Sequence, residues 1–312
     1  MLAPYRVPTA VVAALLTVSG VLAAGPAAAA ERPSFSCREL LAADTGPQWY
    51  VHGRVDGDLV VDAAGCEIGL ATVTGDVVVA DQNSVMIYET TVLGSVRPAD
   101  GNPMGAAWIS TTDVAGDVSL NPQGHLSYSV VRGDVVLRPD PAVGPDAQHA
   151  RVELYATHVG GDVRGRAVTV EVTDSAVAGS YDVTAEQVAR LNASTFGSVT
   201  ARGDARLLAH GVVTTGSFTA ERTLDLLLCR GQVGGDLTVR GVRTWSRVGE
   251  EGTLYCRTSV AGSLHVVDNP STVVLGSVRV AGDLVCSNNT GSQGVVRRPV
   301  LVVSGTRSPT CA

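Results

Sequence analysis

Asp117, Asp134 and Asp162 each follow a glycine, and each opens a Gly-Asp-Val phrase that recurs along the chain. Carboxylates repeated at one phase of a stacked repeat could gather around Ca²⁺, which takes six to eight oxygen ligands. With an arginine base nearby, that is the chemistry of a polysaccharide lyase. Against it, Ser replaces Asp after Gly94, Gly179, Gly197, Gly216 and Gly262. Asp and Ser share the ability to accept a hydrogen bond from a nearby backbone N–H, so a turn acceptor is the simpler reading. The histidines give no cluster: counted from the next or nearest phrase glycine, His125, His158, His210 and His265 stand at −8, −3, −6 and +3, and His52 and His149 lie outside the repeat proper. No pair suggests a metal site or a catalytic triad, and no cofactor is expected. Glu250 and Glu251 are adjacent and point apart in an extended chain, a poor arrangement for glycoside hydrolysis.

A different group of residues suits binding. Three units are longer than the rest, and the extra residues bring Asp140, His149 and Arg151 in one, and Trp245, Arg247 and Glu250 in another, with Trp108 beside the third. Insertions on one side of a repeat often form its binding face. An exposed Trp could stack on a sugar ring, although covering exposed strand edges is the simpler role for Trp108 and Trp245. The expected ligand set is therefore Trp108, Asp140, His149, Arg151, Trp245, Arg247 and Glu250, with a cell-wall glycan or an extracellular protein as partner.

The elements that carry these residues follow from the repeat. Phrase glycines stand at 57, 75, 94, 116, 133, 161, 179, 197, 216, 235, 262 and 282, with spacings of 17 to 28 residues. A short period of this kind is the signature of a solenoid. Counting each glycine as 0, apolar residues recur at −7, −2, +2 and +4: Ile87, Val92, Val96; Leu126, Val131, Val135, Leu137; Leu228, Val233, Leu237, Val239. Side chains alternate along a strand, so −2, 0, +2 and +4 are expected on one strand face and −9 and −7 on a second. No 3.6-residue pattern is sustained. Each unit is then one coil, and about twelve coils stacked about 4.8 Å apart make a rod of about 55 Å. The fold expected is an all-β, single-stranded, right-handed parallel β-helix with a short N-terminal capping helix. Arg190 and Ala209 fall where −7 should be apolar, and a one-residue bulge is expected there.

Residues 1–30 read as a signal peptide: Arg6, an apolar core, then small residues ending at Ala30. Removing Arg6 with this leader takes the formal net charge from −7 to −8. The chain has no Lys and no basic run, so nucleic acid and anionic membrane are poor partners. The expected division is a leader (1–30), an N-terminal cap (31–56), a β-helix (57–303) and a disulfide-tied tail (304–312). Ser36-Cys37-Arg38-Glu39 fits a capping box ahead of a short helix. All six cysteines follow the leader, and an even number in an exported chain favours disulfides. Cys229 and Cys256 both stand at −6 of neighbouring coils and are expected to pair. Proximity along the chain suggests Cys37 with Cys66 and Cys286 with Cys311.

The Gly-Asp-Val ladder over about 57–305 resembles the parallel β-helix repeats of secreted bacterial proteins, particularly those of high-GC bacteria, and is similar to the bactofilin repeat. Bactofilins are cytosolic and lack signal peptides and disulfides, and this chain departs from them on both counts. The broader resemblance is to right-handed β-helices such as pectin-degrading enzymes and filamentous adhesins; spacings of 17 to 28 differ from the strict hexapeptides of left-handed helices. These resemblances imply a secreted, non-enzymatic scaffold or binding protein of the cell envelope or extracellular space. The alternatives are a polysaccharide lyase or hydrolase on the same fold, and a self-associating envelope polymer.

Overall fold

The computed structural model describes residues 32–43, 49–80, 82–99, 104–121, 123–139, 150–203, 205–249, 256–298 and 300–311. The expected leader lies outside them. Every strand pairing among these residues is parallel, and the chain winds into a β-solenoid of about twelve turns.

Each turn contributes to three sheets rather than two strand faces. Sheet 1 follows the phrase glycine, with rungs such as Val77–Val79, Val118–Leu120 and Val135–Leu137. Sheet 2 comes next, with Ala107–Ser110, His125–Ser127 and Arg151–Tyr155. Sheet 3 is short and leads to the following glycine, as in Asp113–Val114, Val130–Val131 and His158–Val159. Positions −2 and +2 therefore belong to different strands. The glycine between them is a corner, and both even phases stay inward on either side of the bend. The ladders are dry: Ile109, Val114, Val118, Leu120, Leu126, Val131, Val135, Leu154, Val159 and Val163 are all fully buried. One coil leaves this apolar face open, and stacking closes it, which is why a solenoid is stable only as an array.

The corner glycines are required by close approach to the coil below, not by an unusual dihedral. Gly133 N–H donates to Gly116 O at 3.2 Å, and Gly161 to Gly133 at 3.0 Å. A Cβ on Gly133 would run into Asp117 Oδ1 and lie 2.8 Å from the carbonyl of Gly116. The residue after each glycine then links rung to rung. Asp117 Oδ1 accepts from the N–H of Asp134 at 2.8 Å, Asp134 from Asp162 at 2.9 Å, and Asp236 from Ser263 at 2.7 Å. Ser95 Oγ accepts from Asp117 N–H at 3.0 Å and Ser263 Oγ from Asp283 at 3.1 Å. The Asp/Ser alternation is thus an acceptor ladder. Charge matters in some rungs, contrary to the simplest reading of that alternation: the second oxygens of Asp76 and Asp134 bind Arg97 and Arg164 at 2.8 and 2.9 Å. Burial pushes the Asp76 carboxyl up, but Arg97 and the Ser95 N–H outweigh it and hold the group below the usual carboxylate range. At the last rung, the backbone and hydroxyl of Thr306 hold Asp283 low.

A second ladder lies inside the turn from sheet 2 to sheet 3. Residues at −5 adopt left-handed backbone there, among them Leu70, Glu89, Thr111, Tyr128, Ala156 and Asp174, with φ between 46° and 52°. The next residue is buried, and in six successive coils it is Thr90, Thr112, Ser129, Thr157, Ser175 and Ser194. Each hydroxyl donates to the carbonyl two residues back, as Ser129 does to Ser127 O at 2.7 Å and Ser194 to Asn192 O at 2.7 Å. Several also accept an N–H from the preceding coil: Ser129 from Thr112, Ser175 from Thr157 and Ser194 from Ser175, each at 3.1 Å. A tight corner leaves backbone groups without ladder partners, and these buried hydroxyls satisfy them.

The irregular middle of the repeat has two different causes. The pairing shifts by one residue between Val177 and Ser180 against Phe196 and Ser198. One residue fewer separates the inward side chain from the corner in the later coil, so Leu191 takes the inward place and Arg190 points out. Ala209, by contrast, keeps its inward place and is simply small. Tyr181, Phe196 and Phe218 are buried among Ala185, Ala189, Ala201, Ala205, Ala209 and Ala220, so large and small side chains share the interior volume. The Tyr181 and Phe196 rings meet edge-on at 5.7 Å. Burial pushes the Tyr181 hydroxyl far up in pKa.

Both ends of the stack are covered. Strand Ser34–Ser36 pairs with Asp58–Val61, and helix α1 (Cys37–Ala43) follows it. Ser36 Oγ accepts from Glu39 N–H at 3.2 Å and donates to Asp62 Oδ2 at 2.7 Å. Phe35, Leu40 and Leu41 pack on the end of the core. At the other end Gly305 N–H donates to Gly282 O at 3.1 Å, Leu284 bridges to Arg307, and a 3₁₀ turn, Pro309–Cys311, closes the chain. Three cysteine pairs stand at disulfide distance: Cys37–Cys66, Cys229–Cys256 and Cys286–Cys311, with Cα separations of 6.4, 4.7 and 5.2 Å.

Candidate functional site

Side chains that alternate with the buried positions of sheet 2, at −8 from the phrase glycine in most coils, point away from the core and form straight rows. One row reads Met86, Trp108, His125, Glu153, Glu171 and Arg190, each the register partner of the next. Trp108 is 42% exposed, and its neighbours open a cleft of about 440 Å³ lined by Trp108, Gln123, Gly124, His125, Arg151 and Glu153. The polar wall is held by ion pairs. His125 Nδ1 lies 3.5 Å from Glu153, Arg151 reaches Glu153 at 3.3 Å and pairs directly with Glu171, and Arg190 lies 3.8 Å from Glu171. An aromatic face beside fixed polar groups is the usual make-up of a ligand cleft. Each described carboxylate in the cluster is already engaged by a cation, which leaves the cleft suited to hydrogen bonding and stacking.

Of the residues the sequence singles out, Trp108 and Arg151 meet here. Asp140, His149 and Glu250 lie outside the described residues. Trp245 and Arg247 form a separate pair: both project from strand Trp245–Val248, with the Arg247 guanidinium 5.7 Å from the indole centroid. Seven rungs separate Arg247 from Trp108 along the row, about 34 Å at parallel-sheet spacing. The seven nominated residues are thus not one site.

The insertions also leave the stack at two corners, where the sequence suggested one. Residues after Pro98 and after Leu137 depart between sheets 1 and 2. In the coil of Gly235, sheet 2 resumes promptly at Trp245, and the extra residues fall between Val248 and Thr258, at the turn to sheet 3. Cys256 therefore stands in step with Cys229 only when counted back from sheet 3, where Gln232 pairs with Ser259. Their disulfide ties the root of that insertion to the coil below.

His125 and Glu153 were missed as partners of Trp108. The signal was present: Trp108, His125, Glu153 and Glu171 all stand eight residues before their next phrase glycine. Outward positions carry no common residue type, so their alignment is visible only after the coils are stacked.

Among the described residues, no helix is long and apolar enough to cross a membrane, and no group of three or more His, Cys, Asp or Glu is placed to hold a metal ion. No family model matches the sequence, and neither the curated proteins nor the solved structures give a match; what is shown is the fold, a parallel β-solenoid.

Proposed function

We propose that the chain is an exported, non-enzymatic binding scaffold of the cell envelope or extracellular space, and that the cleft beside Trp108 receives a sugar unit of a cell-wall glycan. The observation that carries this reading is the exposed Trp108 beside the His125–Glu153–Arg151 cluster. The indole supplies a stacking face, and the ion-paired groups offer hydrogen bonds from fixed positions, so little side-chain entropy is lost on binding. The signal-like leader and the three cysteine pairs fit an oxidising, extracellular setting. The covered ends favour a discrete scaffold over an end-to-end polymer.

Pull-down of the mature chain with purified cell-wall polymers tests the reading. The expected result is retention by at least one glycan fraction with the glycan left intact, and a loss of about tenfold in affinity for Trp108→Ala, consistent with an aromatic contact of about 0.5–1.5 kcal/mol beyond its burial. Equal retention of wild type and Trp108→Ala would sink the proposal. A second reading, a lyase or hydrolase, is favoured by Glu153 and Glu171 on adjacent rungs; it requires shortened or unsaturated products in the same experiment.

A further inference from the structure

The two ends of the chain differ in charge. Residues 31–229 carry 13 Arg against 25 Asp and Glu, whereas residues 230–312 carry nine Arg against five. In the earlier coils most described arginines are ion-paired, as Arg132 is to Asp113 at 2.7 Å and Arg164 to Asp134 at 2.9 Å. Arg230, Arg257 and Arg279 have no carboxylate within ion-pair distance among the described residues and are exposed. All three line one open groove of about 840 Å³ at the turn from sheet 2 to sheet 3, with His210, Val300 and Val302.

Their placement is not a chance spread of surface charge. Arg230 and Arg257 occupy the same phase, −5, of adjacent coils. Like charges set side by side across neighbouring rungs repel. The residues immediately before them, Cys229 and Cys256, are the disulfide pair, with Cα atoms 4.7 Å apart. The covalent link holds two guanidinium-bearing residues together, and neither is ion-paired to a carboxylate among the described residues. Arg279 stands one rung further on, its backbone in register with Ser259 on sheet 3. Cations therefore line the groove at three successive levels, with exposed Val300 and Val302 beside them.

We propose that this disulfide-stapled groove is a binding site for an extended polyanion, whose oxyanion groups are taken by Arg230, Arg257 and Arg279 while its uncharged backbone lies on the valines. Arginine forks bind phosphate and carboxylate oxygens in the same bidentate way, so a polyol phosphate and an acidic polysaccharide share the required chemistry. Binding here is separate from the Trp108 cleft and does not depend on it.

The test uses the mature, oxidised chain with inorganic polyphosphate, polygalacturonate and neutral dextran as probes, and follows affinity against salt. Wild type is expected to bind at least one polyanion and not dextran; the phosphate and carboxylate arms tell the two sources apart. Arg230→Gln with Arg257→Gln should weaken that binding tenfold or more and lower the slope of log affinity against log salt by about 2, one counterion for each lost charge. Arg132→Gln and Trp108→Ala should leave it unchanged. Circular dichroism matching wild type shows that each variant is folded. Binding no stronger than to dextran, or a double variant that binds as wild type does, overturns the proposal.

Discussion

Replacing Gly133 by Ala is expected to lower the unfolding free energy by roughly 3 kcal/mol, a large loss for one methyl group. A solvent-facing Gly→Ala change normally costs little, and in extended backbone it is often favourable because the unfolded chain loses freedom. At Gly133 the added Cβ meets Asp117 Oδ1 and the Gly116 carbonyl. Either the carboxylate withdraws, breaking its bond to Asp134 N–H, or the two coils separate locally and the Gly133–Gly116 bond is stretched. Overpacking of this kind costs about 1–3 kcal/mol, and losing a bond to a charged acceptor about as much again. The control is Gly65→Ala, where no atom lies within 4 Å but φ is +75°. That change should cost only the left-handed penalty of about 1–2 kcal/mol. Urea denaturation of both variants checks the order; a Gly133→Ala loss no greater than that of Gly65→Ala would contradict the close-stacking account of the corner.

The second large effect is expected from the cysteines at the two ends. Cys37–Cys66 and Cys286–Cys311 close loops with sequence separations of 29 and 25 residues. Chain-entropy estimates for loops of this length give about 3–4 kcal/mol for each bridge. Solenoid coils touch only their neighbours, so unfolding starts where a coil has one neighbour instead of two. Removing Cys286 and Cys311 together as Ala should therefore strip hydrogen-exchange protection from Leu284–Ser287 and Val295–Arg297, and leave Arg151–Tyr155 protected. The Cys37/Cys66 double variant should do the same to Ser34–Ser36 and the first coil, and the two losses should add because the sites share no partners. Uniform loss of protection along the chain, or none, would contradict the picture of local staples.

Some features of the fold are legible in the phases of the repeat and others are not, for physical reasons. Ile87, Leu126, Val135 and Leu237 announce themselves because the core selects one residue class at each inward position. Cys229 and Cys256 could be paired on the same grid. The three-sheet cross-section was hidden, because the bend falls on a glycine and the phases on either side of it, −2 and +2, are both even. The period-two alternation runs through such a corner unbroken. The corner from sheet 2 to sheet 3 was hidden for another reason. Its left-handed residue is Leu70 in one coil, Glu89, Thr111 or Tyr128 in the next ones, not the Gly or Asn that turn chemistry favours. What makes the corner tolerable is the buried hydroxyl that follows it, and Thr90, Ser129 and Ser194 look like ordinary surface residues until their neighbours are known. The cleft beside Trp108 depends on outward positions, where His125 and Glu153 differ in type while sharing a phase.

These features rest on coils that stack in register along one axis. Electron–electron dipolar spectroscopy tests that directly. Val78 and Thr238 occupy the same outward phase of sheet 1, eight rungs apart. Spin labels carried on unnatural amino acids at these two positions leave the cysteines untouched. Parallel stacking predicts a single narrow distribution centred near about 38 Å, eight times the rung spacing. A centre well short of that distance, or a broad spread without a dominant peak, would contradict the stack and the sites built upon it.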